Sequence, residues 1–374
     1  MSTIKANAIL DASGGNTVTI NGATPTAYNT MGKNRIINGA MEIDQRNAGA
    51  SVSTSSGSGV WTVDRWIAQY NNTSKFTIQQ SSTAPEGFTK SVLITSSAAT
   101  SVGSGDYYLF SQRIEGFNTS DLGFGTANAK TITVSFWVRS SLTGTFGCSL
   151  TNDAQVRSYP FTYTISSADT WEKKTVTIAG DTTGTWATNN ACSFKLWFGL
   201  GVGSSLSGTA GSWAGTQYLG ATGATSVVGT SGATFYITGV QLEAGSVATE
   251  FERRLYGTEL ALCQRYYEKS YDTLSAVPTN TTLGNHVGIV DTQSLTAIHA
   301  NIRFRVEKRT NPTMNFYKYE TTAGVWAKNS DNSNTGTLTT PWGIGTTGVG
   351  RLDSSTSLSS GGMYHGQWSA TAEL

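Results

Sequence analysis

An all-β chain, built as an antiparallel sandwich with a single helix and a smaller C-terminal β domain, is the architecture this sequence predicts. Three observations predict it. Apolar residues recur with period two in one segment after another, Gly, Ser and Asn clusters of turn type separate those segments, and no amphipathic helix lies between them. In 131–139, Ile132, Val134, Phe136 and Val138 share one strand face while Thr133, Ser135, Trp137 and Arg139 share the other. The segment 194–200 repeats the pattern, with Phe194, Leu196, Phe198 and Leu200 opposite Lys195 and Trp197. Both read as half-buried strands of an antiparallel sheet.

In chain order, 11–30 is turn-rich and holds one short strand, 18–20, too little to bury a core alone. Strands follow at 64–70, 75–80, 91–95, 107–114, 131–139, 175–179, 194–200 and 234–242. A helix is predicted over 257–270. Thr258 stands at its cap position, Leu260, Cys263 and Tyr267 fall at i, i+3 and i+7, and Leu262 and Tyr266 form an adjoining stripe. Strand patterning resumes at 284–290, 294–306, 313–319 and 324–328, with clear alternation in Ala300, Ile302, Phe304 and Val306. The helix therefore marks a boundary between a large sandwich, 36–255, and a C-terminal β domain, 271–374, with 1–35 as a separate leading segment.

Composition narrows the function. The 374 residues allow two or three domains with cores of their own. Charged residues make up 13%, with 25 basic against 24 acidic, so the clustered basic footprint of a nucleic-acid grip is missing. With 10 Trp, 15 Tyr and 14 Phe the chain carries far more buriable area than a disordered one. Cys148, Cys192 and Cys263 match no zinc or redox spacing and read as free thiols. Residues 1–10 hold no signal-peptide apolar run, and no later stretch approaches the roughly 20 apolar residues of a membrane span, so synthesis in a cytosol without membrane insertion is expected.

Four stretches carry a resemblance. NRIINGAMEIDQRNAG (34–49) with VWTVDRW (60–66), ITGVQLEAGSVATEFERR (237–254) and YGTELALCQRYYEKS (256–270) resemble, in this order, bacteriophage tail-fibre and virion-appendage proteins. The leader MSTIKANAIL is similar to the virion-attachment start of marine and cyanophage fibres. The resemblance implies a jelly-roll β-sandwich of carbohydrate-binding-module type, opened by the first two stretches and closed by the third, followed by a linker helix and the smaller C-terminal β domain. It also implies location in the virion, a homotrimeric habit, an N-terminal segment that meets other tail or baseplate proteins, and attachment to host surface polysaccharide. A baseplate or capsid decoration protein without receptor contact is the neighbouring alternative.

Chemistry read from the residues favours binding over turnover. His286, His299 and His365 show no helical metal spacing, the cluster 329–334 lacks the closing Glu of a calcium loop and reads as a turn, and neither a nucleophile elbow nor a phosphate loop occurs. No metal, cofactor or catalytic residue is expected. A glycan depolymerase would need two carboxylates flanking the scissile bond, and Glu42, Asp44, Asp64, Glu115, Asp121 and Glu243 are its candidates. A sugar site pairs a flat aromatic face with polar groups that bond hydroxyls. Trp137 and Trp197 lie opposite the aliphatic rows, where either a groove or a second packed layer fits, and Trp326, Trp342, Tyr364, His365 and Trp368 fall among Gly- and Ser-rich loops near the C-terminus. Leu260, Leu262, Cys263, Tyr266 and Tyr267 give the helix more apolar surface than one domain contact requires, which is expected to be buried between sister chains.

Overall fold

A computed structural model describes residues 32–374, apart from 56, 58, 320, 341 and 342. The strand expected at 18–20, nearly all of the leading segment and Trp342 lie outside the described residues. The first part of the chain forms β1 (Val52–Ser53), β2 (Gly59–Trp61), β3 (Trp66–Tyr70), β4 (Phe76–Ser81), β5 (Ser91–Ser96), β6 (Tyr107–Glu115), β7 (Ile132–Ser140), β8 (Gly144–Asn152), β9 (Ser158–Ile165), β10 (Glu172–Ile178), β11 (Cys192–Val202), β12 (Ser207–Gly208), β13 (Gly220–Ala221) and β14 (Thr234–Ala244). Twelve of these build two six-stranded sheets, β1-β4-β5-β14-β7-β10 and β2-β3-β6-β11-β8-β9, in which every pairing is antiparallel. The chain crosses from one sheet to the other repeatedly, which gives the all-β jelly-roll sandwich.

The alternating rows meet between the sheets. Ile132, Val134, Phe136 and Val138 of β7 and Phe194, Leu196, Phe198 and Leu200 of β11 are fully buried in one core. Phe136 lies edge-on to Phe198 with centroids 5.1 Å apart, and Trp66 stacks on Phe110 at 4.8 Å, geometries that add to the area such rings bury. Strand β3 begins at Trp66 rather than at 64 because Asp64 and Arg65 form a turn, with Arg65 at φ +72 and the Trp66 amide donating to the Val63 carbonyl. Strands β8 and β9, absent from the sequence expectation, contribute Phe146, Cys148, Leu150, Phe161 and Tyr163 to the same core. Pro160 is tolerated in β9 because that strand lies at a sheet edge.

The helix α1 (Tyr256–Gln264) is shorter than expected. Leu255, not Thr258, occupies the cap position, without a side-chain cap bond. Residues expected in its last turn form β15 (Tyr267–Lys269), paired with the final strand. The reason is the burial of Glu268, whose carboxylate takes the Lys308 ammonium at 2.6 Å and the Arg305 amide at 2.9 Å, contacts an extended backbone permits. The remaining strands are β16 (His286–Val290), β17 (Ala297–Arg303), β18 (Thr313–Tyr317), β19 (Ala327–Lys328), β20 (Leu338–Thr339), β21 (Ile344–Gly345), β22 (Gly348–Ser354) and β23 (Met363–Thr371). Strand β23 is the hub, pairing β15, β16, β18 and β19 over a core that includes Ile298, Ile302, Phe316, Trp326, Leu352 and Trp368.

Candidate functional site

The outward row of β7 carries the candidate site. Trp137 is half-buried, with Lys173 of β10 as its cross-strand neighbour on one side and Thr238 of β14 on the other. Immediately after Thr238, β14 bulges at Gly239, whose φ is +62. A Cβ there would lie 2.7 Å from the Phe88 ring and 3.1 Å from Trp137, so the absence of a side chain lets both rings approach. Phe88 meets Phe251 edge-on at 5.2 Å, and the Arg253 guanidinium lies 4.7 Å from the centroid of Phe88 and 5.8 Å from that of Phe251. Together these groups line a cleft of about 410 Å³, with Glu86, Ser135, Lys173 and Glu250 completing the wall. Its chemistry is an aromatic floor among cations, carboxylates and a hydroxyl, the composition that grips a sugar by stacking and hydrogen bonding.

The stretch 237–254 builds one wall of this cleft. Buried Glu243 accepts bonds from the Thr249 amide at 2.9 Å, the Thr249 hydroxyl at 2.6 Å and the Gln241 amide at 2.8 Å, which folds the segment back and delivers Phe251 and Arg253. Sequence reasoning found Trp137 but not Phe88, Lys173, Phe251 or Arg253. The available signal was the bulge glycine within a strand pattern, which marks a close approach.

The other sugar-site candidates are placed elsewhere. Trp197 is only 2% exposed, packed on Leu109 and Leu219 beneath the segment that carries β12 and β13, and its indole N–H donates to the Thr151 hydroxyl at 3.0 Å. Of the two outcomes left open for its face, the second packed layer is the one found. Trp326, Tyr364 and Trp368 are buried in the C-terminal core, where Trp326 rests on Gly366 and donates to the Gln367 carbonyl at 3.2 Å. None of these four offers a ring face to a ligand. His365 stacks on Tyr319 at 5.7 Å, His286 bonds the Ala300 carbonyl at 2.7 Å, and His299 pairs with Asp291 at 3.1 Å. The cluster 329–334 forms a turn in which the Ser333 amide and hydroxyl bond Asp331.

Part of the apolar surplus of α1 is covered within the chain. Cys263 and Tyr266 are buried with Ile37 and Ile43, and Leu260, Leu262 and Leu374 pack against them. Tyr267 is buried too, under the Arg46 guanidinium at 3.7 Å, and Arg65 lies 3.5 Å over Tyr266. Leu260 and Leu262 remain partly exposed, and Leu255 and Tyr256 at the start of the helix are exposed. Residues 33–35, assigned to the leading segment, are likewise fastened to the sandwich, Lys33 by its ammonium to the Glu250 carbonyl at 2.7 Å and Arg35 by its amide to the Leu242 carbonyl at 2.9 Å.

The Arg46 and Arg65 contacts belong to a buried joint between the sandwich and the last sheet, which takes up the candidate acids Asp64 and Glu115. Asp64, fully buried, accepts the Gln45 amide at 3.0 Å and lies 3.8 Å from Arg46, yet burial outweighs these and raises its pKa to about 6. Burial also raises Asp44, which accepts the amides of Asn47 and Gly49. Glu115 binds Arg265 at 2.6 Å and takes the Tyr266 hydroxyl, Asp121 pairs with Arg35 at 2.8 Å, and Glu243 holds the 249 turn. Glu42, which accepts from the Thr89 hydroxyl at 3.3 Å, and Asp44 both line a separate cleft of about 450 Å³ with Lys90 and Tyr256. Near the end of the chain Glu373 is gripped by Arg46 at 3.0 Å and by Arg65, while Arg113 and Arg309 bond the carbonyls of Leu374 and Ala372. Apart from Glu42, these acids are structural ligands of arginine, hydroxyl or backbone groups.

Comparison with protein-family models finds no match, and comparison with curated protein sequences finds none either. Solved structures give distant likenesses. A putative sugar binding protein from Bacteroides thetaiotaomicron is 14% identical, with 57% of this chain and 100% of that one covered and a TM-score of 0.34. The family 11 carbohydrate-binding module of a Clostridium thermocellum cellulosomal cellulase is 10% identical over 54% of this chain and 99% of that one, with a TM-score of 0.27. The enzymatically active domain of bacteriophage CBA120 tailspike protein 4 is 13% identical with a TM-score of 0.32, over 57% of this chain but only 21% of that one. Likenesses at this level carry no argument about ligand or activity, so the cleft stands on its own geometry.

Proposed function

We propose that this chain is a non-enzymatic, glycan-binding subunit of a phage tail fibre or related virion appendage, working as a homotrimer whose copies add weak contacts into avidity. The observation that carries glycan binding is the half-exposed Trp137 on the floor of a cleft lined by Phe88, Phe251, Arg253, Lys173, Glu86 and Glu250. The rigid β7, β10 and β14 ladder holds that floor in place, which limits the ordering cost of binding. Support for the virion setting and the trimer comes from the ordered motif resemblance. Support for binding without turnover comes from the structural partners of four of the six depolymerase candidates, Asp64, Glu115, Asp121 and Glu243.

The test is to incubate the full chain with purified bacterial surface polysaccharides and follow retention and product release together. Saturable retention that Trp137→Ala abolishes, with no oligosaccharide released, is expected. Release of oligosaccharides contradicts the non-enzymatic part, and retention unaffected by Trp137→Ala contradicts the site. Mass photometry of the intact chain is expected to show a three-chain mass, and a monomer alone removes the trimer.

A further inference from the structure

Glycan binding at the Trp137 cleft leaves the class of sugar open, and the charges around the cleft bear on it. Lys173, Arg253, Glu86 and Glu250 line it, and no ion pair joins any of them to another group among the described residues. All four are exposed, and Arg253 differs from the other arginines, which mostly spend their guanidinium groups on carboxylates or carbonyls, as Arg35, Arg65, Arg157, Arg254 and Arg265 do. Arg253 instead lies over rings, its guanidinium carbon 4.7 Å from the Phe88 centroid and 5.8 Å from that of Phe251. Gly87, at φ +82, brings backbone so close that a Cβ there would lie 3.2 Å from an Arg253 nitrogen. A guanidinium over rings with no carboxylate beside it keeps its N–H groups for a ligand, a planar fork of donors with no acceptor.

A ligand that closes over the cleft strips water from these charges. Sugar hydroxyls satisfy Glu86 and Glu250, because a hydroxyl donates well to a carboxylate. The guanidinium fork is met best by two parallel oxygens of a carboxylate. Resting on glycan binding at this cleft, we propose that the ligand is an acidic glycan, a uronate or another sugar acid, whose carboxylate is taken by Arg253, with Lys173 as a second cation lining the same cleft. The four charges cancel, so the cleft selects the acid by short-range contact rather than by a long-range field.

The experiment is an array of uronate- and sialate-bearing oligosaccharides, each printed beside its carboxyl-reduced counterpart, read with the full chain and with Arg253→Lys, Arg253→Ala, Lys173→Ala and Trp137→Ala. An acid is expected to bind at least about tenfold tighter than its reduced partner. Arg253→Ala is expected to erase that difference, Arg253→Lys to restore part of it, and Trp137→Ala to weaken both forms. Unchanged melting temperatures show that the variants are folded. Equal binding of acid and reduced forms, sensitive to Trp137→Ala, overturns the acidic ligand and leaves glycan binding standing. Binding to no glycan by the folded chain overturns both.

Discussion

Replacing Glu373 by Ala is the sharpest probe of the joint that fixes the sandwich to the C-terminal sheet. The Glu373 side chain is 5% exposed and lies between the guanidinium groups of Arg46, 12% exposed, and Arg65, 1% exposed. Removing the acid leaves two buried cations short of a counter-charge. Breaking a buried pair in this way costs about 3–5 kcal/mol, mostly the penalty for the stranded partner. Arg65 retains the Arg113 carbonyl at 2.6 Å and the Tyr266 ring, and Arg46 retains Asp64 at 3.8 Å, which brings the expectation to the lower end, about 3 kcal/mol. Urea unfolding of the full chain, with the slope checked for constancy, measures it. Glu172→Ala, which removes the more exposed Lys174 pair, serves as the control and is expected to cost under about 1 kcal/mol. If Glu373→Ala costs no more than that control, the joint is not held by these charges.

Four further outcomes follow from the structure. Asp64 has its folded pKa raised from 3.8 to about 6 by burial, so its contribution to stability is complete at pH below about 4 and lost as the pH rises through 6. Asp64→Asn should therefore compare worst with the native chain near pH 4 and best near pH 7, and unfolding midpoints that show the opposite trend refute this. Gly239→Ala forces a side chain into the left-handed region and against Phe88 and Trp137; a loss of about 1–2 kcal/mol with weakened glycan binding is expected, from melting and calorimetry. Trp197→Ala empties a packed layer and should cost about 3–5 kcal/mol, whereas Trp137→Ala should cost far less while abolishing binding, and comparable costs would undo their distinction. Cys148, Cys192 and Cys263 are buried free thiols whose pKa burial raises, that of Cys192 to about 12, so an alkylating reagent should modify them only after unfolding.

Much of the sandwich was legible in the sequence because its central strands alternate strictly. In β7 and β11 large apolar residues occupy every second position, and burial follows that pattern. Strands β8 and β9 were hidden because Gly144, Gly147, Ser149, Thr151 and Pro160 look like turn chemistry, although Phe146, Cys148 and Leu150 keep the two-residue period. The helix was overextended because Tyr266 and Tyr267 fit a helical stripe equally well; only the distant partners Lys308 and Glu115 show why the chain straightens after Arg265.

At the site, alternation located Trp137 but could not tell it from Trp197, since both stand opposite aliphatic rows. A segment more than 20 residues long, looping out between β11 and β14, decides the difference by covering one and not the other. The joint was illegible for another reason. Its groups come from 34–49, 60–66, 256–270 and the last residues, and no local pattern links them, yet they share a density of ionisable side chains well above the 13% of the chain. In so uncharged a sequence, Asp64-Arg65, Asp44-Gln45-Arg46 and the run from Arg265 to Lys269 stand out as groups that must find one another.

The central claim is that a glycan lands on Trp137 and not on Trp197 or Trp326. Indole N–H resonances of the full chain, assigned by single Trp substitutions and followed during titration with an array-positive oligosaccharide, test it most directly. The account predicts that the Trp137 signal moves in step with saturation while those of Trp197 and Trp326 stay still. A still Trp137 signal beside a moving Trp197 or Trp326 signal contradicts it.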